Sequence, residues 1–236
     1  EARVILQPER ATMPFRHGLA EVWAEPRARA FTAFVFLSMS AFFMQELILE
    51  PYAGLVFGLT PGQTTGLSGA QNGGVFLGMV MVGLLASGLR VGSMRFWVVF
   101  GCLGSAAALS AVAAAGQTGA AGLLRATVIA LGFFNGVFAV ASIGAMMALA
   151  GEGRVARGGT RIGLWGAAQA LAAGFGGLAG AGLADLMRTL LAADAPAFGA
   201  VFALEAGLFV LSALMALRVI DGAAARAATA APLAGE

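Results

Sequence analysis

The chain has 236 residues, of which 59% are apolar and 11% charged, with 35 glycines and a mean hydropathy of +0.87. Soluble domains carry about a quarter charged residues and roughly 7% glycine, so half the usual charge and twice the usual glycine exclude an ordinary soluble domain, which could not hide this much apolar surface behind a polar shell. A net charge of +2, from fourteen arginines, no lysine and twelve acids, also excludes nucleic acid as a partner, since that needs a dense basic face.

The sequence opens on Glu1 with neither an initiator methionine nor a secretory signal pattern, and reads as a piece of a longer protein. Between Pro14 and Pro26, the residues Phe15, Leu19, Val22 and Trp23 recur at helical spacing, with Arg16, Glu21 and Glu25 around the rest of the wheel. This predicts an amphipathic helix on the membrane surface within a cytoplasmic linker, residues 1–30. His17, the one histidine, falls on it, either solvated at the interface or as a magnesium or substrate ligand. Six apolar runs then follow, each long enough to cross ~30 Å of hydrocarbon. They are Phe31 to Leu49, Gly66 to Leu89, Phe96 to Ala115, Leu123 to Ala150, Ile162 to Met187 and Phe198 to Leu217. Together they predict an all-α membrane protein with a six-helix bundle over residues 31–218, followed by a disordered cytoplasmic tail, 219–236.

Arginines in short connections stay on the cytoplasmic side of a membrane. Arg3, Arg10, Arg16, Arg27 and Arg29 precede the first run, Arg90 and Arg95 join the second to the third, Arg154, Arg157 and Arg161 join the fourth to the fifth, and Arg218 and Arg226 follow the sixth. Only Arg125 and Arg188 fall on the other side, so both termini are expected to be cytoplasmic.

One histidine and one cysteine, Cys102 inside an apolar run, leave no histidine- or cysteine-based metal site and no catalytic relay, and no phosphate-binding loop is present. Polar residues inside spans are costly and therefore candidates for function. Those here are Gln45, Glu46 and Glu50 toward the outer end of the first run, Gln71 and Asn72 in the second, Asn135 in the fourth, Gln169 in the fifth and Glu205 in the sixth. Glu205 or Glu46 is expected either to pair with Arg125 or to serve in proton coupling or ligand binding. Glycines four apart, at Gly74 and Gly78, Gly132 and Gly136, and Gly176 and Gly180, allow close helix approach. The glycine-rich fifth run, with Gly176 and Gly180 at its centre, presses either on its own neighbours or on a partner.

The stretch FVFLSMSAFFMQELILEPYAGLVFGLTPGQTTGLSGAQNGGVFLG from Phe34, with MQELILEPYAG over Met44 to Gly54 as its most specific block, resembles the PucC and LhaA family of light-harvesting complex assembly factors. That family is the bacteriochlorophyll delivery branch of the major facilitator superfamily. A second block from Phe133, FFNGVFAVASIGAMMALAGEGRVARGGTRIGLWGAAQALAAGFGGL, and PFRHGLAEVWAEPRARAF from Pro14 extend the resemblance from Pro14 to Arg188. It implies the second half of a twelve-helix major-facilitator-type fold, with an N-terminal six-helix half missing here. It also implies a non-enzymatic role in assembling the LH1 or LH2 antenna of purple bacteria, in the inner or intracytoplasmic membrane. The implied partners are antenna α and β polypeptides and the reaction centre, and the implied cofactor is bacteriochlorophyll, held transiently. Its magnesium would take a water, a carbonyl, or Gln71, Asn72, Asn135 or Gln169 as ligand. One departure stands in the loop GLRVGSMR, Gly88 to Arg95, which keeps arginines but lacks the acidic residue that facilitators often carry there. A proton-coupled transporter of a small solute or pigment precursor, working through Glu46 or Glu205, is the alternative. Partner contact is sought on the fifth run, near Gln45, or on the surface helix around Trp23.

Overall fold

A computed structural model of the protein describes residues 15–89, 91–151 and 158–220. The expected tail from residue 221 on, Arg3, Arg10, Arg90, Arg154, Arg157 and Arg226, and the side chain of His17 lie outside the described residues, while Val219 of that expected tail is the last residue of the final helix. Among the described residues seven α-helices form: α1 Phe15–Ala24, α2 Pro26–Phe57, α3 Pro61–Val82, α4 Met94–Thr118, α5 Ala121–Gly151, α6 Gly158–Leu191 and α7 Asp194–Val219. The last six are long and apolar enough to cross a membrane.

Each of these helices begins before its expected apolar run, and α2, α3 and α4 do so on prolines or polar residues that do not register as hydropathy. α2 begins at Pro26, where a proline at the first helical position loses no hydrogen bond, and ends at Gly58 in the left-handed conformation with φ 67°. α3 begins at Pro61, well before the expected Gly66. Its start is set by a capping box in which the Gln63 side chain reaches back to the Thr60 backbone N–H at 2.9 Å. The far end of α3 widens into a π turn, Gly83–Gly88. α4 starts where the Ser93 hydroxyl accepts from the Phe96 N–H at 3.1 Å.

Lipid tails are as apolar as leucine, so in a bilayer helices associate through close backbone contact where side chains are small. α3 and α5 meet in this way from both sides. A Cβ on Gly74 or Gly78 would run into the carbonyls of Ile129 and Phe133, and one on Gly132 or Gly136 would run into those of Gln71 and Val75. α6 meets α2 from one side only. Gly176 and Gly180 sit over the carbonyls of Ser40 and Met44, where an added Cβ would lie 2.6 and 2.7 Å from the oxygens. In place of a second glycine pair, α2 presents Phe43 and Leu47 to Gly176 and Gly177. The two crossings are equivalent under exchange of α2–α4 with α5–α7: α3 lies on α5 as α6 lies on α2, while α4 and α7 pack against each other.

Aromatic side chains fill the space between these helices. Tyr52 is fully buried on α2, where its hydroxyl donates to the Val112 carbonyl at 2.6 Å and its ring packs on Phe198 and Phe202 of α7. Gly116 of α4 leaves room for the phenol. Nearer the other end, Trp165, Phe31, Phe34, Phe138 and Phe209 form a run of ring contacts that ties α6, α2, α5 and α7 together. At the arginine-rich end, Arg161 pairs with Glu25 at 2.6 Å and donates to the Leu149 carbonyl near the end of α5. Arg27 likewise donates to the carbonyl of Val219 at the end of α7. Both guanidinium groups thus satisfy carbonyls that the helix ends leave open and sit where the helix dipoles are negative.

Gly132→Ala should force α3 off α5 and destabilise the protein by about 1–3 kcal/mol, the usual cost of overpacking. Gly73→Ala, on the open face of α3 with nothing within 4 Å, should leave stability unchanged. Thermal unfolding in detergent distinguishes them, and equal melting temperatures for the two variants would contradict the interlock.

Candidate functional site

Because the glycine interlock holds α3 against α5, α3 touches α2 only lightly, and a cleft of about 230 Å³ opens between them. It is lined by Phe42, Gln45, Glu46, Leu49 and Glu50 of α2, Ser68, Gln71, Asn72 and Val75 of α3, and Asn135 of α5. Helical periodicity accounts for this convergence: positions 42, 45, 46, 49 and 50 share one face of α2, and 68, 71, 72 and 75 share one face of α3. Six of the polar residues singled out in the sequence therefore come together: Gln45, Glu46, Glu50, Gln71, Asn72 and Asn135.

Polarity changes with depth in the cleft. Toward the end opposite the arginine-rich one, Glu46 and Glu50 are exposed, and Glu50 accepts a hydrogen bond from the Ser68 hydroxyl at 3.0 Å. Deeper in, Gln45 and Asn135 are buried. The Asn135 Oδ1 accepts from the Ser105 hydroxyl of α4 at 2.8 Å, while its Nδ2 and the Gln45 Oε1 have no protein partner. Ser68 and Ser105 were not singled out by sequence. Their partners lie 18 and 30 residues away, and nothing local marks them.

The expected pairing of Arg125 with Glu205 or Glu46 does not form. Arg125 lines a separate depression with Leu59, Gln63, Gly66, Leu67, Ala121 and Leu124, at the start of α3 and α5. Glu205 faces the opposite way, into the core from α7. It is fully buried between Phe202, whose ring meets Tyr52, and Phe209, whose ring meets Phe138, and neither carboxylate oxygen has a partner. α7 packs mainly on α4, α2 and α6 and meets α5 through Phe209 and Phe138, whereas Arg125 stands at the start of α5 beside Leu59 and Gln63. The other arginine at this end, Arg188, is held locally by Asp194 at 2.6 Å across the α6–α7 turn.

The remaining candidates lie elsewhere. Gln169 is half-buried on α6, away from the cleft, and Trp23 is 50% exposed on α1, whose Val22 is buried. Gly176 and Gly180 are occupied by α2, whereas Gly163, Gly166, Gly174 and Gly182 of the same helix have open space before them.

Glu205 lacks a partner, so Glu205→Met should raise stability by about 1–3 kcal/mol, since replacing a stranded buried polar group with an apolar one is neutral or favourable. Arg125→Gln should leave stability unchanged, and the double variant should be additive within about 0.5 kcal/mol. A larger coupling energy in thermal unfolding would show that the two residues do interact.

Residues 3–224 match the family described as PUCC protein. The chain is 65% identical over 231 residues to the bacteriochlorophyll synthase 44.5 kDa chain of Rhodobacter capsulatus, covering 97% of this chain and 53% of that protein. It is 35% identical over 201 residues to protein PucC of Cereibacter sphaeroides, covering 80% of this chain and 41% of the relative. With protein PucC of Rhodobacter capsulatus the identity is 31% over 222 residues, covering 91% and 47%. The chain thus spans about half the length of these relatives. No solved structure matches it. With six helices of spanning length and a family match across nearly its whole extent, the chain is a multi-pass membrane protein and belongs to the PucC family.

Proposed function

We propose that this chain is the second six-helix half of a major-facilitator-type protein, with both ends on the cytoplasmic side of the bacterial inner membrane. In this reading the whole protein acts without catalysis as an assembly factor for the LH1 or LH2 antenna. It handles bacteriochlorophyll, guides antenna α and β polypeptides into the ring, or does both, and meets the reaction centre in doing so. The observation that carries the reading is the 65% identity, over almost the entire chain, to a protein whose name ties it to bacteriochlorophyll. This reading takes the "synthase" of that name as belonging to the relative alone.

Two further observations support the architecture. The equivalence of the α3–α5 and α6–α2 crossings is what an inverted three-helix repeat within one half of such a fold requires. The arginine distribution supports the orientation. One observation favours the transporter alternative: Glu205 is an unpartnered carboxyl in the core, the kind of group through which proton coupling runs.

A cysteine placed at Gly62 or Thr118 should react with an impermeant reagent from the periplasmic side, and one at Gly158 should not. Labelling of Gly158 alone would reverse the orientation, and labelling of all three would overturn the six-span topology. The full-length protein, purified from pigmented membranes in mild detergent, should carry bacteriochlorophyll absorption and co-purify antenna polypeptides. Recovery of colourless protein without them, together with a proton flux in proteoliposomes that Glu205→Gln abolishes, would move the assignment to the transporter.

A further inference from the structure

The α2–α3 cleft has a charge and hydrogen-bond pattern of its own. Its lining carries two carboxylates, Glu46 and Glu50, and no basic side chain. At its deep end the Gln45 Oε1 is an acceptor without a donor and the Asn135 Nδ2 a donor without an acceptor, on side chains that are 1% and 0% exposed. Unsatisfied amide atoms at this depth in a membrane protein are costly, so the pair defines what an occupant must bring: a donor for Gln45 and an acceptor for Asn135. The carboxylates add a second requirement, positive charge. At about 230 Å³, the cleft has room for a small polar group.

We propose that this cleft binds a 2-aminoethanol unit, an ammonium with an oxygen two carbons away, either as free ethanolamine or as the head group of an aminolipid. The ammonium offers three N–H donors and one positive charge to Glu46, Glu50 and the Gln45 Oε1, and the neighbouring oxygen accepts from the Asn135 Nδ2. The Ser68 hydroxyl orients the Glu50 carboxylate, and the Phe42 ring gives the cation an aromatic wall. Ser105 holds the Asn135 amide so that its Nδ2 remains available to the occupant. This site does not depend on the antenna reading, because its ligand is defined by the cleft alone.

The test uses the full-length protein in phosphatidylglycerol nanodiscs, whose lipid carries no ammonium. Ethanolamine should bind saturably by calorimetry, and ethylene glycol, which keeps the oxygen but lacks the charge, should not. The double variant Glu46→Gln, Glu50→Gln, at two positions exposed in this chain, should weaken ethanolamine binding at least tenfold while leaving the melting temperature in the same nanodiscs unchanged. In nanodiscs containing phosphatidylethanolamine as well, native mass spectrometry should show that lipid retained by the wild type and lost from the double variant if the source is a lipid. Ethanolamine binding without lipid retention would make the ligand a soluble amine within the same class. Absence of both, ethanolamine binding that survives the double variant, equal binding of ethylene glycol, or binding of Mg²⁺ or Na⁺ alone would overturn the proposal.

Discussion

The contact on which this structure depends is backbone against backbone between α3 and α5. In water, two apolar helices are pressed together by the hydrophobic effect, but in lipid that force is absent and they associate as closely as their side chains permit. Gly74 and Gly78 on one helix and Gly132 and Gly136 on the other remove the side chains from the crossing on both sides, so each backbone sits over the other's carbonyls. The α6–α2 crossing repeats the arrangement with glycine on α6 alone and with Phe43 and Leu47 opposite. Two crossings of the same kind but unequal intimacy thus hold the outer helices on the bundle, and α4 and α7 complete it.

The cleft follows from that inequality. A helix drawn fully onto α5 cannot also lie along α2, and the gap left between α2 and α3 exposes the polar face of each. The polar residues divide accordingly. Ser105 and Asn135 satisfy one another inside the bundle, and Ser68 and Glu50 do so nearer its end. The Gln45 Oε1 and the Asn135 Nδ2 are left without a protein partner, on residues that line the cleft. Glu205 belongs to neither group: it sits among aromatic rings, separated by the bundle itself from the arginine that charge balance first suggests.

The PucC relatives are about twice as long as this chain, and in a protein of that length the exposed faces of α3 and α6 would meet either lipid or further chain. The apolar side chains on those faces, among them Phe76 and Leu77 on α3 and Leu171 and Leu178 on α6, are more than half exposed, as suits either surrounding.

The sequence by itself determined that the chain lives in lipid, that six helices are long enough to cross it, and which residues inside them are polar, because length, hydropathy and composition are local quantities. Helix ends were legible only in part, since Thr60, Gln63 and Pro61 start α3 through capping and not through hydropathy. The glycine pairs could be read, but not their partners: the same spacing at Gly132 and Gly176 serves α3 in one case and α2 in the other, and a spacing of four residues names a face without naming what it meets. Only the tertiary structure decided that six polar residues share one cleft, that Glu205 stands apart from Arg125, and that Gly176 and Gly180 are already occupied. Those outcomes depend on how helices far apart in sequence are rotated and paired, and that is settled by which backbones can come closest.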